Sequence, residues 1–166
     1  MKKLALILAL FSLLSCIKDK ESGVEVVLGD SIPDFSVTMN DGTEVDAALL
    51  KEGISCIAFF TTQCSDCKRA LPEIQKLYDG HAQSGVRFVL ISREDPFESV
   101  STYWSENNLT MPYSAQSDRS IYELFAKTRV PRIYLSKDGV IKAIFTDSPV
   151  PDHDALVKAL EEIKNR

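Results

Sequence analysis

The chain has 166 residues, 45% hydrophobic and 26% charged. That is the composition of one globular domain with enough length to bury a core, and it excludes a disordered chain. The net charge of −5 excludes a strongly basic protein, so nucleic acid is not an expected partner.

Residues 1–16 read MKKLALILALFSLLSC. Lys2 and Lys3 make a positive start, and Leu4 to Leu14 an apolar run broken only by Ser12. The run is shorter than the roughly 20 residues of a membrane span and suits the core of a secretory signal. Its end, Leu13-Leu14-Ser15-Cys16, resembles a bacterial lipobox, and the resemblance implies that Cys16 is lipidated and becomes the mature N-terminus. The competing reading is a cleaved signal with an incidental cysteine. The segment Ile17 to Val24 is charged and aperiodic, as a flexible tether is. The expected organisation is a signal peptide over 1–15, a lipidated cysteine and tether over 16–27, and one domain over 28–166. Loss of residues 1–15 removes two lysines and no acid, leaving 17 basic and 24 acidic side chains, net −7. The lipid, not charge, is then what holds a membrane. The expected address is the bacterial cell envelope, facing the periplasm.

Phe35 to Met39 alternates, Asn40-Asp41-Gly42 signals a turn, and Thr43 to Val45 completes a short hairpin. Asp46 to Lys51 reads as one helical turn closed by Gly53. Ile54 to Phe60 (ISCIAFF) is a continuous apolar run, the pattern of a strand buried on both faces. A helix from Ser65 to Tyr78 follows, ended by Gly80. Val86 to Ser92 is a second buried strand. Phe97 to Asn108 is an amphipathic helix with Val100, Tyr103 and Trp104 on its apolar side. Asp118 to Lys127 reads as another, through Ile121, Leu124 and Phe125. Arg132 to Leu135 and Val140 to Phe145 are strands joined by Lys137-Asp138-Gly139. Asp152 caps a last helix striped by Leu156, Val157, Leu160 and Ile163. This order calls for an α/β fold, a central mixed sheet with helices on both faces and an N-terminal hairpin added to it.

If Cys16 is lipidated, Cys56, Cys64 and Cys67 remain. Three suits one working pair and a bystander better than a disulfide framework, and an exported address permits disulfides. Cysteines at i and i+3 share a helix face. At a helix start, Cys64 meets unpaired amides and the positive end of the dipole, which favour its thiolate. Cys67, one turn further in, is more buried and stays protonated longer, and it is placed to resolve a mixed disulfide on Cys64. The pair falls at the carboxyl end of the strand Ile54 to Phe60, where open sheets carry their sites. Pro72 removes one helix hydrogen bond and reads as a kink; the other reading starts a second helix there. On residues alone, electron exchange, metal binding and simple filling of a helix end all stay open.

Cys64-Ser65-Asp66-Cys67-Lys68 followed by Pro72 resembles the redox motif and helix proline of the thioredoxin superfamily. Val130-Pro131 before the strand Arg132 to Leu135 resembles that family's cis-proline, and Lys137-Asp138-Gly139-Val140 its following hairpin. The separation from Cys64 to Pro131, the extra helical stretch and Leu28-Gly29-Asp30-Ser31-Ile32-Pro33-Asp34-Phe35 resemble the membrane-tethered TlpA-like and ResA-like thiol–disulfide oxidoreductases, lipoproteins with an AhpC/TSA-type domain. The resemblance spans about residues 28–166. It implies a thioredoxin-like fold, a redox-active disulfide between Cys64 (nucleophile) and Cys67 (resolving), and no organic cofactor and no metal. It also implies substrate contacts at Gln63, Val130, Pro131 (in cis) and Arg132, with Val130 pairing a client backbone as an added strand. Implied partners are a protein disulfide and an upstream thiol electron donor, met by a monomer.

The chain departs from that pattern in three places. Gln63 stands for the usual tryptophan, and Ala58 and Ala70 stand where the superfamily carries an acid near the buried thiol. Asp66, Glu73, Glu94 and Asp95 are either substitutes acting through water or plain surface charges. Asp66 opposes a thiolate on Cys64, so only moderate activation is expected. Arg132 favours an acidic partner or is an ordinary surface arginine, and Cys56 reads as a small core residue. The rivals are a peroxiredoxin-like peroxidase using Thr61 and Arg132, a copper carrier using Cys64 and Cys67, and a redox-inactive binding module on the same scaffold.

Overall fold

The computed structural model describes residues 25–165. The expected signal peptide, Cys16 and residues 16–24 of the tether lie outside the described residues. The domain is engaged by Val26, which is buried and donates its amide to the Phe125 carbonyl at 2.8 Å.

A two-stranded hairpin comes first, β1 (Ser36–Thr38) against β2 (Glu44–Asp46). A 3-10 turn over Leu49–Lys51 buries Leu50. The main sheet holds β3 (Ile54–Phe60), β4 (Val86–Ser92), β5 (Tyr113–Ser114), β6 (Arg132–Lys137) and β7 (Val140–Phe145). Its spatial order is β5-β4-β3-β6-β7. The pairs β3–β4 and β4–β5 are parallel, and β3–β6 and β6–β7 antiparallel, so the sheet is mixed and β3 is its centre. Being central explains the unbroken apolar run of β3: every residue from Ser55 to Phe60 is buried. Consecutive side chains serve opposite faces, as strand geometry requires. Phe60 packs on Trp104, with ring centroids 4.9 Å apart. Phe59 meets Tyr122, Phe125 and Tyr134 on the other side.

The short β5 has no sequence signature, because two residues carry no period. It is held from outside. The Asn40 amide donates to the Tyr113 carbonyl at 2.7 Å, and the Tyr113 amide to Asn40 Oδ1 at 2.9 Å. The hairpin thereby covers an edge that would otherwise offer unpaired amides.

Four α-helices are described: α1 (Ser65–His81), α2 (Phe97–Glu106), α3 (Ser120–Glu123) and α4 (His153–Lys164). α1 turns Cys67, Ala70, Leu71, Ile74 and Leu77 inward, one helical stripe, and packs beside α4. It runs through Pro72 without a break, so no second helix starts there. Gly80 does not end it either. The turn continues to His81 and a 3-10 turn over Ala82–Ser84, and Gly85 at φ 83° is the stop. A glycine inside a helix costs only about 1 kcal/mol relative to alanine. Tyr78, edge-on to Phe88 at 5.2 Å, holds that last turn against the sheet.

The expected helix over 118–127 shrinks to α3. Its periodic residues mislead: Tyr122, Phe125 and Ala126 are buried, whereas Leu124 is exposed. The chain tightens after Glu123, with Leu124 and Phe125 donating three residues back to Ile121 and Tyr122. The Phe125 carbonyl is diverted to the Val26 amide and the Tyr134 hydroxyl. α4 starts as expected, with Asp152 Oδ1 accepting the Ala155 amide at 2.9 Å. The β6–β7 turn needs its glycine: at Gly139, φ 75°, an added Cβ would stand 3.3 Å from Lys51 Cα.

Candidate active site

β3 ends at Phe60 and delivers the chain through Thr61-Thr62-Gln63 to Cys64, the N-cap of α1. Cys64 keeps extended backbone angles, φ −85° and ψ 124°, and its sulfur does the capping, accepting the Cys67 amide at 3.4 Å. The Cys64 thiol donates to the Val130 carbonyl, also at 3.4 Å. The Val130–Pro131 peptide is cis. Residues 66 positions apart in sequence are therefore in contact at the sulfur. Cys64 is partly exposed, Cys67 is fully buried, and both are free thiols.

Burial pushes the Cys67 thiol far up, and Cys64 beside it adds to the rise. The Thr61 amide and the Arg93 guanidinium pull in the opposite direction. Cys67 is thus a protonated, waiting thiol at neutral pH. Burial alone lifts Cys56 to about 12, consistent with a core residue between Phe88 and Leu135 in the sheet.

The approach loop is pinned by Asp95, itself buried, whose Oδ2 accepts the Thr62 amide at 2.5 Å. The Arg93 amide donates to the Phe60 carbonyl at 2.7 Å, closing the same junction from β4. The cis-proline loop has its own support. Arg129 adopts φ 71°, a left-handed conformation uncommon off glycine, and the Tyr122 hydroxyl holds its carbonyl at 2.7 Å. Arg93 and Arg119 lie over the Tyr122 ring, at 5.9 and 5.7 Å from its centre.

Of the residues expected to meet substrate, Val130 and Pro131 stand directly against Cys64, and Gln63 is exposed beside it. Arg132 is less available. Its side chain is 10% exposed, paired with Glu25 at 2.5 Å, and donates to the Thr128 carbonyl at 3.2 Å. The four acids considered as proton acceptors are all occupied elsewhere. Asp66 pairs with Arg69 at 2.6 Å, Glu73 with Lys76 at 2.9 Å, Glu94 with Arg93 at 2.5 Å, and Asp95 holds Thr62. Two features escaped sequence reasoning. Arg93 lies over the Tyr122 ring with its amide on the Phe60 carbonyl, where the chain leaves for Cys64. A groove of about 430 Å³ also opens beside the pair, lined by Thr62, Gln63, Lys68, Glu98, Thr102 and Tyr103. Among the described residues no three His, Cys, Asp or Glu side chains converge to hold a metal, and no helix is long and apolar enough to cross a membrane.

A mixed sheet with a dithiol at the carboxyl end of its central strand, facing a cis-proline, defines a thioredoxin-fold redox protein. The comparisons narrow the class. The redoxin family model matches residues 27–160, and the chain belongs to that family. It is similar to the thiol–disulfide oxidoreductase ResA of Oceanobacillus iheyensis, 29% identical over 140 residues, 81% of this chain and 71% of that protein. Among solved structures it resembles the thioredoxin domain of a thiol–disulfide oxidoreductase from Bacteroides vulgatus. There the TM-score is 0.72 at 18% identity, over 84% of this chain and 99% of that one. StoA from Bacillus subtilis superposes with a TM-score of 0.66 at 21% identity, over 79% of this chain and 99% of that one. The chain is a TlpA- and ResA-like thiol–disulfide oxidoreductase of the thioredoxin superfamily.

Proposed function

We propose that Cys64 and Cys67 are the working dithiol and that the protein reduces disulfides of client proteins outside the cytoplasm. The observation that carries this reading is the Cys64 sulfur, capping α1 while touching the Val130 carbonyl at the cis-proline edge. A client segment laid along Val130 and Pro131 as an added strand brings its own disulfide to that sulfur. The Cys64 thiolate attacks one client sulfur, the client S–S bond breaks, and the released client thiolate takes a proton. Cys67 then loses its proton and attacks Cys64 in the mixed disulfide. The second client sulfur leaves with the electron pair, and a Cys64–Cys67 disulfide remains. Two electrons have passed to the client, and an upstream thiol donor restores the dithiol. Gln63 and the groove beside it contact the client chain, and Arg132 shapes the proline loop.

The same proposal places the chain in the bacterial envelope. Residues 1–15 are a signal peptide, Cys16 carries lipid, the residues up to 24 link it to the domain that Glu25 and Val26 already join, and the domain works as a monomer facing the periplasm. The apolar run ending at Ser15-Cys16 supports this.

The test equilibrates the purified protein in glutathione buffers and counts free thiols at each cysteine by mass spectrometry. A reversible Cys64–Cys67 couple near the roughly −270 mV of thioredoxin is the expected result. A couple near about −120 mV makes the protein an oxidant instead. Failure to form a Cys64–Cys67 disulfide at any poise refutes the dithiol mechanism.

A further inference from the structure

The loop that presents Val130 to the Cys64 sulfur is held by residues far from it in sequence, and one of them is charged. Arg132 follows Pro131, and its side chain is 10% exposed, with Nε buried and unpartnered. A guanidinium so far out of water needs an acid. Among the described residues Glu25 alone supplies one, Oε1 to Nη2 at 2.5 Å. The same nitrogen donates back to the Thr128 carbonyl at 3.2 Å, so Arg132 ties its own loop together.

Glu25 reaches the other end of that loop as well. Its second oxygen accepts the Lys127 amide at 3.3 Å, from a position 102 residues away in sequence. The neighbouring Val26 amide is on the Phe125 carbonyl at 2.8 Å, which fixes the backbone that carries Glu25. One carboxylate thus spans from Lys127 to Arg132, the two sides of the segment that holds Val130. The Tyr122 hydroxyl holds the same segment at the Arg129 carbonyl, 2.7 Å. At its centre the Val130 carbonyl accepts the Cys64 thiol at 3.4 Å. The partners of Glu25 are Arg132 and Lys127, so it bears on the sulfur only through the loop.

We propose that Glu25 is a positioning residue for client binding, clamping the loop from Lys127 to Arg132 so that the Val130 edge is set before an extended peptide arrives. This rests on the dithiol and added-strand reading above and gives that reading a preorganised edge. A peptide that must first order the loop binds more weakly by that cost. The clamp therefore shows in how well a peptide is held along the edge and not in the chemistry at sulfur.

The experiment gives the purified, reduced protein two activated disulfides in stopped flow. One is an uncharged, extended peptide whose single cysteine carries a thiopyridyl group. The other is the same activated cysteine with acetyl and amide ends and no flanking residues. In both, the Cys64 thiolate bonds to the cysteine sulfur and the bond to the thiopyridyl sulfur breaks. Pyridinethione leaves with the electron pair and is read by its colour. Glu25 is 42% exposed, so its loss should leave the fold intact. Glu25→Ala is expected to raise the peptide concentration at half-maximal rate about fivefold, equivalent to about 1 kcal/mol. The maximal rate and the reaction of the capped cysteine should not change. Glu25→Gln keeps the reach and an acceptor oxygen, and should fall between Ala and wild type. Arg132→Met should weaken peptide use by itself, and adding Glu25→Ala to it should cost less than Glu25→Ala does alone. Equal loss with peptide and capped cysteine, or no change with Glu25→Ala, overturns the proposal. So does full additivity with Arg132→Met. If Arg132→Met does not fold, the order of Ala, Gln and Glu at position 25 decides. A wild type that uses the peptide no better than the capped cysteine removes the added-strand reading, and the proposal with it. A wild type whose Cys64 releases no thione removes the dithiol reading as well.

Discussion

Asp95 is the residue through which the approach to Cys64 can be tested most directly. Its carboxylate accepts the Thr62 amide at 2.5 Å, across 33 residues of sequence, at a side chain only 7% exposed. No other hydrogen bond occupies that carboxylate among the described residues. Asp95→Ala leaves a buried backbone amide without its charged acceptor, a loss of about 2 kcal/mol. For a chain of this size that lowers Tm by about 4–8 °C. Asp95→Asn keeps an acceptor oxygen but loses the charge, so its effect should be about half as large. Melting is followed by circular dichroism with excess reductant, so that no Cys64–Cys67 bridge contributes. Amide hydrogen exchange then separates a local role from a general one. Thr62 should lose protection in Asp95→Ala beyond what the fall in global stability accounts for. A Tm within 1 °C of wild type, on the scale where 1 kcal/mol is about 2–4 °C, refutes the reasoning. So does a Thr62 amide as protected as before.

Tyr122→Phe removes the hydroxyl that holds the Arg129 carbonyl at 2.7 Å, and should cost about 1 kcal/mol in a urea titration. It should also slow exchange with a protein disulfide more than with a small pyridyl disulfide, because the proline edge is what a client strand must find. Phe59→Leu, which empties part of a cluster of four aromatic rings, should destabilise by about 1–3 kcal/mol while leaving the thiol chemistry intact. The buried Cys56 gives a pH signature. Its thiol is raised from 9.0 to about 12, so the folded chain keeps a proton that the unfolded chain releases. That stability is complete below the ordinary thiol range and is lost as pH rises toward 12. Between pH 9 and 10.5, about where an unfolded thiol has already ionised, the urea midpoint of the wild type should fall more steeply than that of Cys56→Ala; equal slopes would contradict it.

The elements visible in the sequence were those whose pattern comes from burial along their whole length. Ile54 to Phe60 and Val86 to Ser92 are apolar runs because the strands are sandwiched, and they appear with the expected bounds. The Asp152 cap is equally local. What stayed hidden depends on distant partners. The helix expected over 118–127 stops because Val26, at the start of the domain, and Tyr134 of β6 take up the Phe125 carbonyl. Tyr113-Ser114 is a strand only because β4 and Asn40 flank it. At the site, the Cys64-to-Cys67 spacing and Val130-Pro131 stand out from the chain. Arg93 does not, since an arginine after a strand looks like any surface charge until the fold sets it over Tyr122. Asp95, expected as a substitute proton acceptor or a plain surface charge, is buried and holds the backbone of the approach loop.

Glu25 sets where the chain enters this domain. Its carboxylate meets Arg132, the residue after the cis-proline, so the chain enters the fold on the same side as the reactive sulfur. If Cys16 is the anchored residue, the nine steps from it to Glu25 span at most about 30 Å. A leash that short, fixed at the working end, keeps the dithiol within roughly a bilayer's thickness of the surface and limits how far the domain can turn away. Clients would be met close to the membrane, and their disulfides would have to lie within that thin layer to be reached at all.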